Sequence, residues 1–128
     1  MGGRPRALAR ARRRASLDKP IRLIEPAAPH GLALKGYIGS VAMSGDGRFL
    51  AASAPRAGRI VYVDTATGAI RAETALADGC GLAPLGGDVF ALSSGHGVVQ
   101  VEEPGATPLS SVTLEGTEFD NHLRRISV

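Results

Sequence analysis

One stretch of this chain recurs at a fixed spacing. Residues 40–53 align without gaps on residues 81–94, an offset of 41, and both copies show an apolar segment, a Gly/Asp turn, a Phe-led strand and a Ser. A second step of the same offset puts Val41, Leu82 and Leu123 in register, and with them Ser40, Gly81 and His122. A recurrence of that length has room for one supersecondary unit that buries its apolar face only by stacking on a copy of itself.

Turn chemistry divides the first copy into four strands, near 40–43, 49–53, 59–64 and 69–76. Asp46-Gly47 is a strong hairpin signal because glycine tolerates the positive φ that such turns demand. Asp64 and Thr65 are placed to fold their side chains onto turn amides ahead of Gly68. The third strand, Ile60-Val61-Tyr62-Val63, is apolar throughout, as expected of a strand covered on both faces. In the fourth, Ile70, Ala72, Thr74 and Leu76 alternate with Arg71 and Glu73, the mark of a half-exposed edge. Buried inner strands and a wet outer strand, repeated about every 40 residues, describe propeller blades. Gly and Pro recur too often after Pro20 for a helical stripe to survive three turns. The fold expected is all-β: a partial β-propeller of about two four-stranded antiparallel blades plus an extra strand. The blades are expected near 39–78 and 80–118, with a closing strand at 119–128.

Composition agrees. Seventeen glycines supply turns, while 4% aromatics and no Trp leave the core to Val, Leu, Ile and Ala. The formal charge of +3 is divided unevenly: residues 1–20 carry +6, so the remainder carries −3. The basic stretch has neither interleaved aromatics nor a recognition-helix pattern, so a solvated, disordered tail is expected and a nucleic-acid partner is not. Arg13-Arg14 does not open a twin-arginine export signal, because Asp18, Lys19 and Pro20 interrupt the apolar stretch that must follow. No apolar run approaches the ~20 residues that span a bilayer. The lone Cys80 reads as a small buried side chain rather than a reactive thiol.

At Ile60-Val61-Tyr62-Val63-Asp64-Thr65-Ala66-Thr67-Gly68 the chain resembles the Tyr-Val-Thr-Asn-type propeller repeat. From Gly36 onward it resembles the end of a bacterial family of unknown function, domain number fifteen-thirteen among such families. Tyr37-Ile38-Gly39, Ser53-Ala54-Pro55-Arg56-Ala57-Gly58, Asp78-Gly79-Cys80-Gly81 and Phe119-Asp120-Asn121-His122-Leu123 carry that likeness. The resemblance implies an exported, seven-bladed periplasmic propeller encoded beside iron-uptake components. Against that pattern, neither an export signal nor the earlier blades are expected in this chain, and the resemblance assigns it no compartment of its own.

First strands line a propeller's channel, which places Ser40 and His122 near one rim. Asp120 and His122 lie two apart and share a strand face. With Asn121 they are the ligand or channel-rim candidates, although one carboxylate and one imidazole make half a metal site. His30 and His96 have no spacing that recruits them, and Gly95-His96-Gly97 is a hairpin turn rather than a phosphate loop. Arg48, Arg56 and Arg59 are candidates for an anion-binding patch. No catalytic triad order, zinc spacing or cofactor motif is present, so no cofactor is expected. The primary reading is a non-catalytic binding or scaffold module whose open faces require a protein partner, missing blades or self-association. The alternatives are a metal- or ligand-binding protein or enzyme working at the channel mouth, and a truncated reading frame without an independent role.

Overall fold

The computed structural model describes residues 36–126; the basic segment 1–20, expected as a tail, and His30 lie outside the described residues. Two antiparallel sheets carry the fold. The first runs in order β1 (Ser40–Met43), β2 (Phe49–Ala54), β3 (Arg59–Asp64) and β4 (Ile70–Ala75). The second runs β5 (Gly79–Gly86), β6 (Val89–Ser94), β7 (Val98–Glu102) and β8 (Ser110–Thr113). A 3₁₀ turn, Pro55–Ala57, links β2 to β3 and ends at Gly58, whose φ of 64° is a left-handed conformation that glycine takes at no steric cost.

The turns form where side chains can close them. Asp46 Oδ1 accepts from Ser44 Oγ at 2.7 Å and from the Arg48 amide at 3.0 Å. Asp64 Oδ1 accepts from the Ala66 and Thr67 amides at 2.8 and 3.2 Å. Thr65 takes another role from the one expected: its hydroxyl donates to the Gly47 carbonyl at 2.6 Å, tying the two turns together.

The sheets stack face to face. Ala51, Ile60 and Tyr62 from the first meet Leu82, Phe90 and Leu92 from the second, with Leu76 between them. The rings of Tyr62 and Phe90 stand 5.4 Å apart at 44°. A buried polar cluster sits in the same seam. The fully buried Glu102 carboxylate accepts from Tyr62 at 2.8 Å, from Gln100 at 2.7 Å, and from the Thr74 hydroxyl. Three donors satisfy a charge that would otherwise be costly to bury. On the far face of the first sheet, Ala52, Ala54 and Val61 form a smaller cluster with Ala57 and Ile70.

The ladders correct the expected alignment. Val41 pairs with Ala52 and Leu82 with Leu92, so the first strands of the blades do repeat at 41. Met43, however, pairs with Leu50, whereas Pro84 pairs with Phe90. The second turn is one residue shorter, and the second strands therefore repeat at 40. Phe90 corresponds to Leu50, not to Phe49, and a one-residue slip exchanges the faces of a strand. This is why Phe49 and Phe90 both point into the seam between the sheets, from opposite sides.

The expected closing strand at 119–128 is not formed among the described residues; 119–126 pairs with no strand. A first strand takes its ladder from the second strand of its own blade, and no such neighbour is present among the described residues. The segment instead runs beside β5: Arg125 Nη1 donates to the Leu85 carbonyl at 2.8 Å, and Leu123 abuts Gly81, where a Cβ would lie 3.0 Å from that of Leu123.

Candidate functional site

The β2–β3 link, the entry to β5 and the final segment converge at one end of the sheets, beside the start of β1. There Tyr37, Pro55, Arg56, Asp78, Cys80, Phe119, Asp120 and Asn121 line an open cleft of about 350 Å³. Arg56 projects from the 3₁₀ turn, its guanidinium 4.8 Å from the centre of the Tyr37 ring. Asp78 has a φ of 51°, a left-handed backbone uncommon outside glycine. Its carboxylate fills the space where any side chain at position 95 would begin, so Gly95 is required for Asp78 to take this place. Asp120 Oδ1 accepts from the Asn121 amide at 2.7 Å. Among the described residues Arg56, Asp78 and Asp120 form no ion pair, which leaves charges of both signs available in one cleft.

Cys80 lies, buried, at the floor of this cleft. Burial, followed by the nearby Asp78 and Asp120 carboxylates, pushes its thiol above the ordinary range. The Sγ sits 3.2 Å from the Asp120 carbonyl and 3.4 Å from that of Phe119, so the thiol is held protonated as a weak donor. A second open cleft, of about 400 Å³, is lined by Gly95, His96, Gly116, Thr117 and Glu118. Gly95 lines this second cleft and lies against the carboxylate of Asp78, which lines the first.

The residues singled out from sequence divide between these places. Asp120 and Asn121 enter the first cleft; Ser40, half-buried on β1, and His122, exposed, do not line it. Asp120 and His122 gain no third partner: among the described residues no group of three His, Cys, Asp or Glu stands close enough to hold a metal. The three arginines do not form a patch. Arg48 precedes β2 and lies over Phe49 at 5.4 Å, while Arg56 and Arg59 lie beyond the opposite end of that strand. Arg59 is neutralised by Glu73 at 2.8 Å. Sequence reasoning missed Tyr37 and Asp78 as cleft residues. The Asp78-Gly79 step at the blade junction is their one local signal.

A family model described as "Protein of unknown function (DUF1513)" matches residues 3–126. The chain belongs to this family. The match takes in the Arg-rich segment as well as both sheets of the DUF1513 chain. Among solved structures, it is similar to a chain in the "Crystal Structure of Mitotic Checkpoint Complex", with TM-score 0.54 and 20% identity over 64% of this chain and 26% of that one. It is also similar to the β-propeller domain of Myceliophteria thermophila Cps50 (Swd1), with TM-score 0.55 and 14% identity over 76% of this chain and 36% of that one. The DUF1513 chain thus spans between a quarter and about a third of these propellers, and its two sheets are propeller blades. No curated protein matches it. No helix among its described residues is long and apolar enough to cross a membrane.

Proposed function

We propose that this DUF1513 chain is a non-catalytic binding module that engages a protein partner at the rim cleft. The observation that carries the reading is the set of charges, Arg56, Asp78 and Asp120, that form no ion pair among the described residues, around an open cleft floored by a thiol that burial pushes above its ordinary range. An open, polar, shallow surface of mixed sign suits a protein segment, whose charged side chains it can meet, better than a small molecule, which favours enclosed apolar pockets. One of the chains it resembles is itself part of a complex, the Mitotic Checkpoint Complex. A periplasmic setting and a link to iron uptake belong to this proposal on the family resemblance alone.

The test is a photo-crosslinking residue placed at Tyr37 in the full chain in its native host. Protein adducts are expected there and absent from a control at Arg71 on the outer edge. They disappear when Arg56→Glu and Asp120→Asn are added to a chain whose circular dichroism is unchanged. Adducts that survive both changes, or none at Tyr37, would overturn the proposal.

A further inference from the structure

The outer strands of the two blades are guarded differently. β4 carries Arg71 and Glu73; Arg71 reaches Asp64 at 3.5 Å and Glu73 holds Arg59 at 2.8 Å. Charges of this kind keep an open edge from pairing with another chain. β8 has none: Ser110, Ser111, Val112 and Thr113 are uncharged and all exposed. Leu109 and Leu114 flank them at 62% and 45% exposure, and Val112 itself is 52% exposed.

The backbone of β8 fixes which groups are free. The Leu114 amide bonds inward to the Gly97 carbonyl, and Val112 pairs with Val99. Ladder bonds alternate in direction along an antiparallel strand, so Ser111 and Thr113 turn their amide and carbonyl groups outward. We propose that β8 docks a second copy of this chain, antiparallel to its own counterpart, with Val112 opposite Val112. In that register Ser111 of one copy faces Thr113 of the other, and each exchanges both backbone bonds with its opposite; the two-fold axis repeats the pair. The Val112 and Leu114 side chains of both copies then lie on one face of the joined sheet, which a slip of one residue would not allow. Pro108 and Glu115 bound the matching stretch at either end. The edge is complementary to itself in hydrogen bonding, face and charge, which is the requirement of a two-fold interface.

The test is light scattering on the eluting full-length chain across a concentration series. A mass approaching twice 13.2 kDa with rising concentration is expected for the wild type. Val112→Lys sets like charges directly opposite each other and weakens the dimer by roughly tenfold or more. Val112→Glu does the same. An equimolar mixture of the two variants restores a dimer, because opposite charges then face each other, and misfolding cannot produce that rescue. A monomeric wild type at every concentration, an undiminished Val112→Lys dimer, or a mixture that stays monomeric would each sink the proposal.

Discussion

Set side by side, the two blades share a strand plan but differ in how each is closed. The first fastens its turns with Asp46 and Asp64 and its outer edge with Arg59–Glu73 and Arg71–Asp64. The second puts its polar groups inside, with Gln100 donating to Glu102 and Glu102 turned into the seam to meet Tyr62 and Thr74. Tyr62 corresponds, through the pairs Ala51–Tyr62 and Ala91–Val101, to Val101. The first blade thus presents an aromatic donor where the second has a valine, and only one seam can use the Glu102 carboxylate. Local latches hold the first blade; the second depends on its neighbour.

That dependence is broken most severely at the seam. Phe90→Ala removes a fully buried ring that packs on Tyr62 and is expected to lower unfolding stability by about 3–5 kcal/mol, read from the urea midpoint. An effect under about 1 kcal/mol would mean that the blades do not share a core. Tyr62→Phe keeps the packing and deletes one donor to Glu102, at a cost of about 1–3 kcal/mol. A neutral result would show that the carboxylate finds another partner.

A finer comparison uses one serine from each blade. Ser53 Oγ donates to the Cys80 carbonyl at 2.7 Å, across the seam. Ser93, its counterpart on β6, is fully buried beside the Cys80 thiol, and its hydroxyl makes no well-formed hydrogen bond. Ser53→Ala should therefore destabilise by about 1 kcal/mol, while Ser93→Ala should be neutral or slightly stabilising. Equal effects in thermal melts would erase the distinction between a satisfied and an orphaned hydroxyl.

The strands were legible because turn residues and apolar runs mark them locally: Asp46-Gly47, Gly68 and the continuous Ile60–Val63 run each act within a few residues. The register was not. Whether the repeat is 40 or 41 depends on a turn shorter by one residue, and Phe49 and Phe90 look equivalent although they point in from opposite sides. The site was half legible. Asp120 and Asn121 stand out as a polar run at the close of the repeat, but Tyr37, Arg56 and Asp78 join them only once three separate links converge. The arginine patch failed because β2 separates Arg48 from Arg56 and Arg59, a distance that sequence proximity conceals. Glu102 was not singled out from sequence, because its burial depends on the Tyr62 and Thr74 donors of the other blade.

The smallest expected effect concerns the latches themselves and sharpens the contrast from the first blade's side. The Ser44 hydroxyl and the Arg48 amide hold the Asp46 carboxyl below its usual range, and the Ala66 and Thr67 amides do the same for Asp64. Both groups are therefore easier to ionise folded than unfolded. Their contribution is complete above the unfolded value of about 4 and is lost as pH falls through the lower folded values. Asp46 is exposed and Asp64 half-buried, so the contribution is modest and screened by salt. Melting temperature should fall between about pH 5 and pH 3, and in an Asp46→Ala/Asp64→Ala chain the neutral-pH value should be lower and the acid slope shallower. Carboxyl NMR should find both groups titrating below the ordinary aspartate range. If the double variant keeps the wild-type acid slope, the first blade is not held by its turns, and the contrast with the second loses its physical basis.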